Sequence, residues 1–436
     1  MRIGIWCDYG FTLEPSEGIG VFVDNLARGI IRADSQCEIV MMSHPGQEDR
    51  LSSTVASGRN RITVVSVPRV SQPWRRIVRS LKKLQRRLST PTGRGPIASS
   101  MAGVLQACTS KLTAKQQRAI VEHIESCDVW LLPYVCLDQE FTKPTVVAIH
   151  DLVCYHFPEM LSPAKLASLK LLVDRVSQQA TLVACMSQFI RENDLLGTLK
   201  LPPSRVRVLE PAVPDDFGLT SASPTHRFPG LLAARGIAPD EPYLLYPAAF
   251  RSYKNHAYLL PVLQQLRQQS DTPWKLVFTG IRGCPQELTT QIEQLQLEGH
   301  VFSLGKVTRQ ELEGLYRSAF ATVVPSLYEQ GSFPVMEALN CQCPVACSNI
   351  PSLLEQFNCM GGSMLYFDPH QPRSLVSVIE RIERDRDQVI SEQSIGFTAL
   401  RGNTWDHAAK GWLQVFREAL TLPQSIGDIL PLRRAA

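Results

Sequence analysis

The sequence predicts an α/β protein built on parallel sheets and divided into two domains. Three observations carry that expectation. Residues 321–351 contain a complete strand, loop, helix, strand unit, ATVVP then SLYEQGSF then PVMEAL then CPVACS, and such units form parallel sheets. Short apolar runs rich in Val, Ile and Leu recur along the chain, as strands buried on both faces require. At 436 residues the chain is too long for one ordinary core, so two domains are expected.

The elements follow in order. IGIWC (3–7) reads as the first strand, and with Asp8 in place of an extended apolar segment it is not a signal peptide. The loop DYGFTLEPSEGIGVF leads into a helix over VDNLARGII. Gly18 and Gly20 stand before that helix, where glycine lets a phosphate approach the backbone, although a plain turn also explains a lone G-x-G. EIVMMS (38–43) and RITVVSVP (61–68) are further strands. WRRIVRSLKKLQRRL (74–88) then places Ile77, Leu81, Leu84 and Leu88 on one helical face, with Trp74 at its start. Such a basic amphipathic helix suits an anionic membrane surface. Nucleic acid is the rival, but interleaved stacking aromatics are missing; a solvated basic face is the plain alternative. Residues 89–103, with three glycines and two prolines, read as a loop.

CDVWLLP (127–133) and TVVAIHDL (145–152) return to buried strands, the second ending in His150 and Asp151. A lone histidine there is ordinarily structural. RVRVLEPAV (205–213) closes the first domain, and the proline-rich segment 214–242 reads as the linker. PYLLYPAAF (242–250) opens the second sheet, with Lys254 in the loop beyond it. WKLVFTG (274–280), ATVVP (321–325) and CPVACS (343–348) follow as strands. TWDHAAKGWLQVFREAL (404–420) is an amphipathic helix.

A hydrophobic content of 44% with 20% charged residues is that of a soluble globular protein. No apolar run reaches the roughly 18 residues that a membrane-spanning helix needs. The 12 cysteines are scattered through apolar segments, which points to reduced thiols and a cytoplasmic location. The net charge of +4 is unevenly spread. Residues 1–213 carry 26 Lys and Arg against 19 Asp and Glu, a balance of +7, and the rest carry 19 against 22, a balance of −3. From Arg59 to Val121 there are 14 basic residues and no acid. That localises a partner surface, expected to lie against the inner membrane face.

The loop between the strands at 321 and 343 offers specific chemistry. Glu329 lies in the loop and Glu337, eight residues on, in the first helical turn. Free N–H groups at a helix start attract phosphate or sugar oxygens, and a carboxylate beside them accepts hydrogen bonds from vicinal hydroxyls. A glutamate that merely complements the helix dipole is the alternative.

SLYEQGSFPVMEAL resembles the Glu-x7-Glu signature of family 4, or group 1, retaining glycosyltransferases of the GT-B fold. Those enzymes have two Rossmann-like domains with parallel sheets facing across a cleft. The usual family form is EGFGLPxxEA; here Gln330, Gly331, Ser332 and Phe333 depart from it. Other segments are similar to the family as well. Glu17-Gly18-Ile19-Gly20 resembles its GGxG loop, VVAIHDL its strand-end HD motif, and LVACMSQFIREN its S-x-x-x-R segment, with Ser187 and Arg191. PAAFRSYKNH resembles R-x-x-x-KN, and HVFSLGKVTRQELEGLYRSA its V-x-F-x-G-x-V…LY-x-x-A passage.

The resemblance implies residues 1–213 as an acceptor-side domain, 243–403 as the nucleotide-sugar domain, and helix 404–422 crossing back to the first. It implies His150, Lys254 and Glu329 as catalytic: His150 and Glu329 at the donor sugar, and Lys254 at the leaving phosphates. Asp151 would support His150 or face the acceptor. Donor contacts would come from Gly18, Gly20 and Arg251, from Gly331, Ser332 and Phe333 through backbone donors, and from Glu337 to the ribose. Gly305 and Val307 would border the base. The implied reaction moves a hexose of mannose or glucose type, with retention, from a nucleoside-diphosphate sugar to a glycan or lipid-linked glycan in cell-surface polysaccharide synthesis. GDP-mannose is the first donor expected and a UDP-hexose the second.

No cofactor and no metal are expected. Cys341, Cys343 and Cys347 lack a matching histidine cluster, and Asp385-Arg386-Asp387 sits in a charged helical stretch. Nucleic acid is not an expected partner. Two alternatives stay open on the same fold: a catalytically silent sugar-binding subunit, and a nucleotide-sugar epimerase. The joint presence of His150, Lys254, Glu329 and Glu337 argues against the first, and the lack of an evident further acid/base set against the second.

Overall fold

The computed structural model describes residues 1–8, 18–43, 51–58, 60–67, 118–135, 141–209, 212, 229–239, 241–280 and 283–422. The basic segment 74–88, the loop 89–103 and Glu17 lie outside them. Two sheets organise the chain. The first has seven strands: β1 (Arg2–Cys7), β2 (Glu38–Ser43), β3 (Ile62–Ser66), β4 (Val129–Leu132), β5 (Thr145–Ala148), β6 (Leu182–Cys185) and β7 (Val206–Val208). Their order is β3-β2-β1-β4-β5-β6-β7. The second has six: β8 (Tyr243–Pro247), β9 (Lys275–Thr279), β10 (Val301–Ser303), β11 (Ala321–Val324), β12 (Val345–Ser348) and β13 (Leu365–Phe367), in the order β10-β9-β8-β11-β12-β13. The pairings β1 with β2 and β4, and β8 with β9 and β11, are parallel.

Both sheets therefore reverse direction of winding once, beside their first strand. These are two Rossmann-like α/β sheets, and in such sheets the reversal opens a crevice at the strand carboxyl ends. In the second sheet the reversal lies between β8 and β11.

The central strands are mostly apolar, as strands covered by helices on both faces require. β4, β11 and β12 are buried at every position. In the first sheet Gly4 faces Trp130 across the β1–β4 ladder. A Cβ at Gly4 would come within 2.4 Å of the indole, so the glycine makes room for a fully buried tryptophan. Trp130 Nε1 donates to the Ile124 carbonyl at 3.1 Å, which satisfies its polar edge. The helix Gly18–Ala33 buries Phe22, Val23, Leu26, Ala27, Ile30 and Ile31, spacings that follow one helical stripe.

The second sheet has its own core, built on Tyr246, Trp274, Phe278, Tyr316, Phe357, Phe367 and Phe397. Leu232 and Ile237 belong to it, and a five-residue helix forms at Pro229–Ala233. Part of the segment read as linker is thus held by the second core, because two of its apolar side chains find burial there.

The described residues fall into two compact units. One draws on Met1–Ala148, Val176–Leu182 and Leu413–Ala436, the other on Ile149–Arg175 and Val183–Trp412. The second unit groups His150, Asp151 and the segment around Asp194 with the loops of the six-stranded sheet. Among the described residues no helix is long and apolar enough to cross a membrane, and no group of three metal-ligating side chains is assembled.

Candidate functional site

The site is built where the second sheet reverses, from the two loops that leave β8 and β11. After β8 the chain makes a 3-10 turn at Ser252–Lys254 and another at His256–Tyr258. Asn255 joins them with φ +58, a left-handed conformation that asparagine tolerates better than most residues. Its side-chain amide donates to the Pro369 carbonyl at 3.0 Å. That turn aims Lys254 toward the neighbouring loop.

After β11, residues 325–332 lead into the helix Phe333–Asn340. Ser332 is its N-cap, with Oγ accepting the Val335 N–H at 3.4 Å, and Pro334 occupies the first turn. Glu329 projects from this loop and bonds Lys254 Nζ through Oε1. Ser326 Oγ donates to the same oxygen at 2.7 Å. Only 19% of the Lys254 side chain and 9% of the Glu329 side chain remain exposed, so this is a nearly buried ion pair.

Tyr246 on β8 holds both loops. Its hydroxyl donates to the Lys254 carbonyl at 2.9 Å and lies 3.1 Å from Ser326 Oγ. Burial alone would lower the Lys254 pKa. The Glu329 carboxylate, with the Tyr246 and Tyr253 phenols, outweighs burial and holds the ammonium above its ordinary value. Its Nζ also lies 5.1 Å from the Tyr253 ring centroid. The result is a fixed, permanently charged cation beside a strand end, able to meet developing negative charge.

Glu337 sits in the second helical turn rather than the first, because the helix begins at Phe333. The Tyr316 hydroxyl donates to Glu337 Oε2 at 2.8 Å. Burial raises the Glu337 pKa from 4.5 to about 7; the Tyr316 hydrogen bond and Arg309 oppose that rise, and Glu313 adds to it. Near neutral pH this carboxyl is poised between acceptor and donor.

His150 and Asp151 follow β5, in the same compact unit as the pair. His150 is buried. Asp151 accepts the Val153 N–H at 3.1 Å. Burial raises its pKa; Val153 opposes that, Glu329 adds to it, and Lys254 opposes it. The structure therefore brings Asp151 within electrostatic reach of Lys254 and Glu329. Arg251, half-buried, precedes the Lys254 turn.

Further candidate residues have partners within the protein. The Ser332 N–H donates to Gln356 Oε1 at 2.8 Å. The acceptor comes from the nearby helix Pro351–Gln356, whose last side chain packs over the loop; a Cβ at Gly331 would lie 3.4 Å from it. Phe333 packs partly against the core, as does Val307. Gly305 adopts φ +70, and its carbonyl accepts the Gly280 N–H at 2.9 Å. Ser187 Oγ accepts the Ile190 N–H at 3.1 Å, a capping role, while Arg191 pairs with Glu192. Gly18 and Gly20 lie within the first turn of a helix, not in the loop before it, and belong to the first unit. Sequence reasoning did not single out Tyr246, Tyr316 or Ser326, the residues that hold Lys254, Glu337 and Glu329. Each is an ordinary strand, helix or loop residue with no motif of its own, from three to 21 residues from the group it holds.

Residues 231–395 match the model of the family described as Glycosyl transferases group 1. The chain is 25% identical over 278 residues to the O-antigen chain mannosyltransferase B of Escherichia coli, covering 62% of this chain and 70% of that one. It is 29% identical over 150 residues to the O-antigen chain mannosyltransferase RfbU of Salmonella typhimurium, covering 34% and 40%. A solved structure of Anabaena HepE in complex with UDP and glucose superposes with a TM-score of 0.65 at 15% identity, covering 96% of this chain and 100% of that one. Residues 231–395 are a group 1 glycosyltransferase segment. The fold of the chain is GT-B, as the two parallel sheets and the superposition with HepE agree. Arg251, Lys254, Gly305, Val307, Glu329, Gly331, Ser332, Phe333 and Glu337 of this glycosyltransferase all fall within the matched segment; Gly18, Gly20 and His150 precede it.

Proposed function

We propose that this glycosyltransferase moves a hexose, with retention and without a metal, from a nucleoside-diphosphate sugar to a glycan or lipid-linked glycan acceptor in cell-surface polysaccharide synthesis. The observation that carries the reading is the Lys254–Glu329 pair where the second sheet reverses, with Glu337 on the helix that follows. Mannose is the favoured sugar and GDP-mannose the favoured donor, supported by the names of the two O-antigen relatives. The UDP and glucose bound to HepE support a UDP-hexose as the second choice. In this reading residues 243–403 hold the donor, residues 1–213 serve the acceptor, and helix 404–422 returns to them.

Charge develops on two sides in such a transfer: positive at the anomeric carbon, as in glycoside hydrolysis, and negative on the departing diphosphate. Lys254, assisted by Arg251, stabilises the diphosphate, and its charge is already secured by Glu329 before the donor arrives. Interactions that strengthen toward the transition state raise the rate, and a preorganised cation costs little reorganisation. Glu329 and His150 bind the transferred sugar, and Glu337 accepts from the ribose hydroxyls. Gly331, Ser332 and Phe333 offer backbone contacts, Gly305 and Val307 line the base, and Gly18 and Gly20 contact the donor.

A thermal-shift panel of UDP, GDP, ADP and dTDP, with Glu337→Ala as control, tests the donor half of this reading. A ligand that binds only the folded state raises the Tm with its concentration over Kd. One diphosphate is expected to shift the native protein strongly and the variant less. Diphosphate release only when acceptor is present tests the transfer half. No shift with any nucleotide, or release without acceptor dependence, overturns the reading.

A further inference from the structure

The loop that carries Glu329 is tied on a second side, by the residue before it. Tyr328 is buried, and its hydroxyl donates to Asp194 Oδ2. The same hydroxyl accepts the Leu152 N–H at 3.2 Å, one residue beyond Asp151. Asp194 is fully buried on the π-helical stretch Ile190–Thr198. Its other oxygen, Oδ1, lies 2.9 Å from His156 Nε2 and accepts from Asn193 Nδ2 at 2.8 Å. The His156 and Tyr328 rings pack at 4.8 Å between centroids. Burial and the Asp194 carboxylate both push the Tyr328 phenol above its ordinary pKa, so the phenol remains a donor across the working pH range.

Meanwhile the loop's other atoms are spoken for on the β8 side. The Leu327 N–H donates to the Tyr253 carbonyl at 2.8 Å, and Ser326 and Glu329 bond Tyr246 and Lys254. One side chain, Tyr328, therefore joins two places in the chain: the residue before Glu329 and the residue after His150-Asp151.

We propose that Tyr328, anchored by Asp194, is a positioning residue that sets the separation between Glu329 and the His150-Asp151 segment. The proposal rests on the reading above, in which Glu329 and His150 both contact the transferred sugar. The nucleotide contact at Glu337 is held by Tyr316, and the turn of Lys254 is held by Tyr246 as well as by Glu329. Removing the Tyr328 hydroxyl therefore loosens the geometry at the sugar more than the hold on the nucleotide. Misplacement by about 1 Å can cost on the order of a hundredfold in rate. Tyr328→Phe keeps the ring packing and deletes only the joint. Asp194→Asn keeps the size of the anchor but replaces one acceptor oxygen by a donor, so it cannot satisfy Tyr328, His156 and Asn193 in the same way.

The test measures kcat, donor KM, nucleoside-diphosphate affinity and the ratio of donor hydrolysis to transfer for the native protein and both variants, with Tm as a check on folding. For Tyr328→Phe we expect kcat to fall roughly ten- to a hundredfold. Diphosphate affinity should stay within about twofold and hydrolysis should gain on transfer. Asp194→Asn should move the same quantities in the same direction. A folded Tyr328→Phe variant with native kcat overturns the proposal, as does one whose loss lies wholly in diphosphate affinity. A native protein that never transfers sugar to any acceptor overturns the functional reading, and this inference with it; that outcome is read from the native arm alone.

Discussion

The Lys254–Glu329 pair shows what a nearly buried ion pair is for at this site. Such pairs add little net stability, because desolvating two charges offsets most of their attraction. What this one secures is the charge and position of a lysine that its surroundings would otherwise tend to neutralise. Glu337 behaves in the opposite sense, since burial lifts its carboxyl to about 7. Accepting from two ribose hydroxyls requires the ionised form. Between pH 6 and pH 8 the ionised fraction of a group with that pKa climbs from about a tenth to about nine tenths. Affinity for the nucleoside diphosphate should therefore rise roughly tenfold across that interval, and Glu337→Gln should bind more weakly with a flatter profile. Calorimetric titration at several pH values checks this; parallel slopes for the two proteins would remove Glu337 from the ribose. The stability consequence has its own sign. A carboxyl raised in the folded state contributes stability that is present below its unfolded value near 4.5 and lost as pH rises through about 7. At this scale the sequence revealed the charged residues and not their holders. Lys254 and Glu329 stand out in their motifs, whereas Tyr316 and Tyr328 look like any buried tyrosine until folding brings Glu337 and Asp194 to them.

At the scale of elements, the close approach of neighbouring strand ends decides how the Lys254 loop is supported. Gly280 ends β9 beside the chain that leaves β8. A Cβ there would meet the Ala248 carbonyl oxygen at 2.9 Å and the Ala249 Cα at 3.1 Å, both backbone atoms. Gly305 is required for another reason: its φ is +70 and the space about it is open. Gly280→Ala should cost about 1–3 kcal/mol as an overpacking change and should displace the turn before Lys254, lowering activity. Gly305→Ala should cost about 1–2 kcal/mol through its backbone conformation alone. Asparagine separates the two causes, because it tolerates the left-handed region. Gly305→Asn should recover part of the loss, and Gly280→Asn should be worse than alanine. Chemical denaturation of the four variants decides it; equal losses at both positions would refute the distinction. Strands were the legible elements. Runs such as VVAI, LLYP and TVVP announce strands buried on both faces, and two parallel sheets were expected from them, whereas the strand order is seen only in the fold. Helix starts were less legible: Gly18 and Gly20 begin a helix instead of preceding one, and Glu337 falls a turn later than its spacing from Glu329 suggested. The π-helical stretch at Ile190–Thr198 left no sequence signal, since its apolar spacing also fits an ordinary helix.

Over the whole molecule, charge is distributed by region instead of by net value. The 14 basic residues between Arg59 and Val121, with no acid among them, would repel one another if left together without a partner. A lipid-linked acceptor would require the glycosyltransferase to work at a membrane surface. Segment 74–88 combines Trp74, Ile77, Leu81, Leu84 and Leu88 with Arg75, Arg76, Arg79, Lys82, Lys83, Arg86 and Arg87. Each basic side chain near an anionic surface contributes about 1 kcal/mol, an attraction that fades within a Debye length. Replacing Arg75, Arg76, Lys82, Lys83, Arg86 and Arg87 by Gln should therefore abolish sedimentation with vesicles containing anionic lipid. Added salt should weaken binding of the native protein, and vesicles of neutral lipid should hold it poorly. Diphosphate affinity should not change, because the proposed donor contacts Lys254, Glu329 and Glu337 are not among the substituted residues. If the substituted protein still sediments with anionic vesicles at native levels, the basic segment does not meet the membrane, and the acceptor must be sought among soluble glycans.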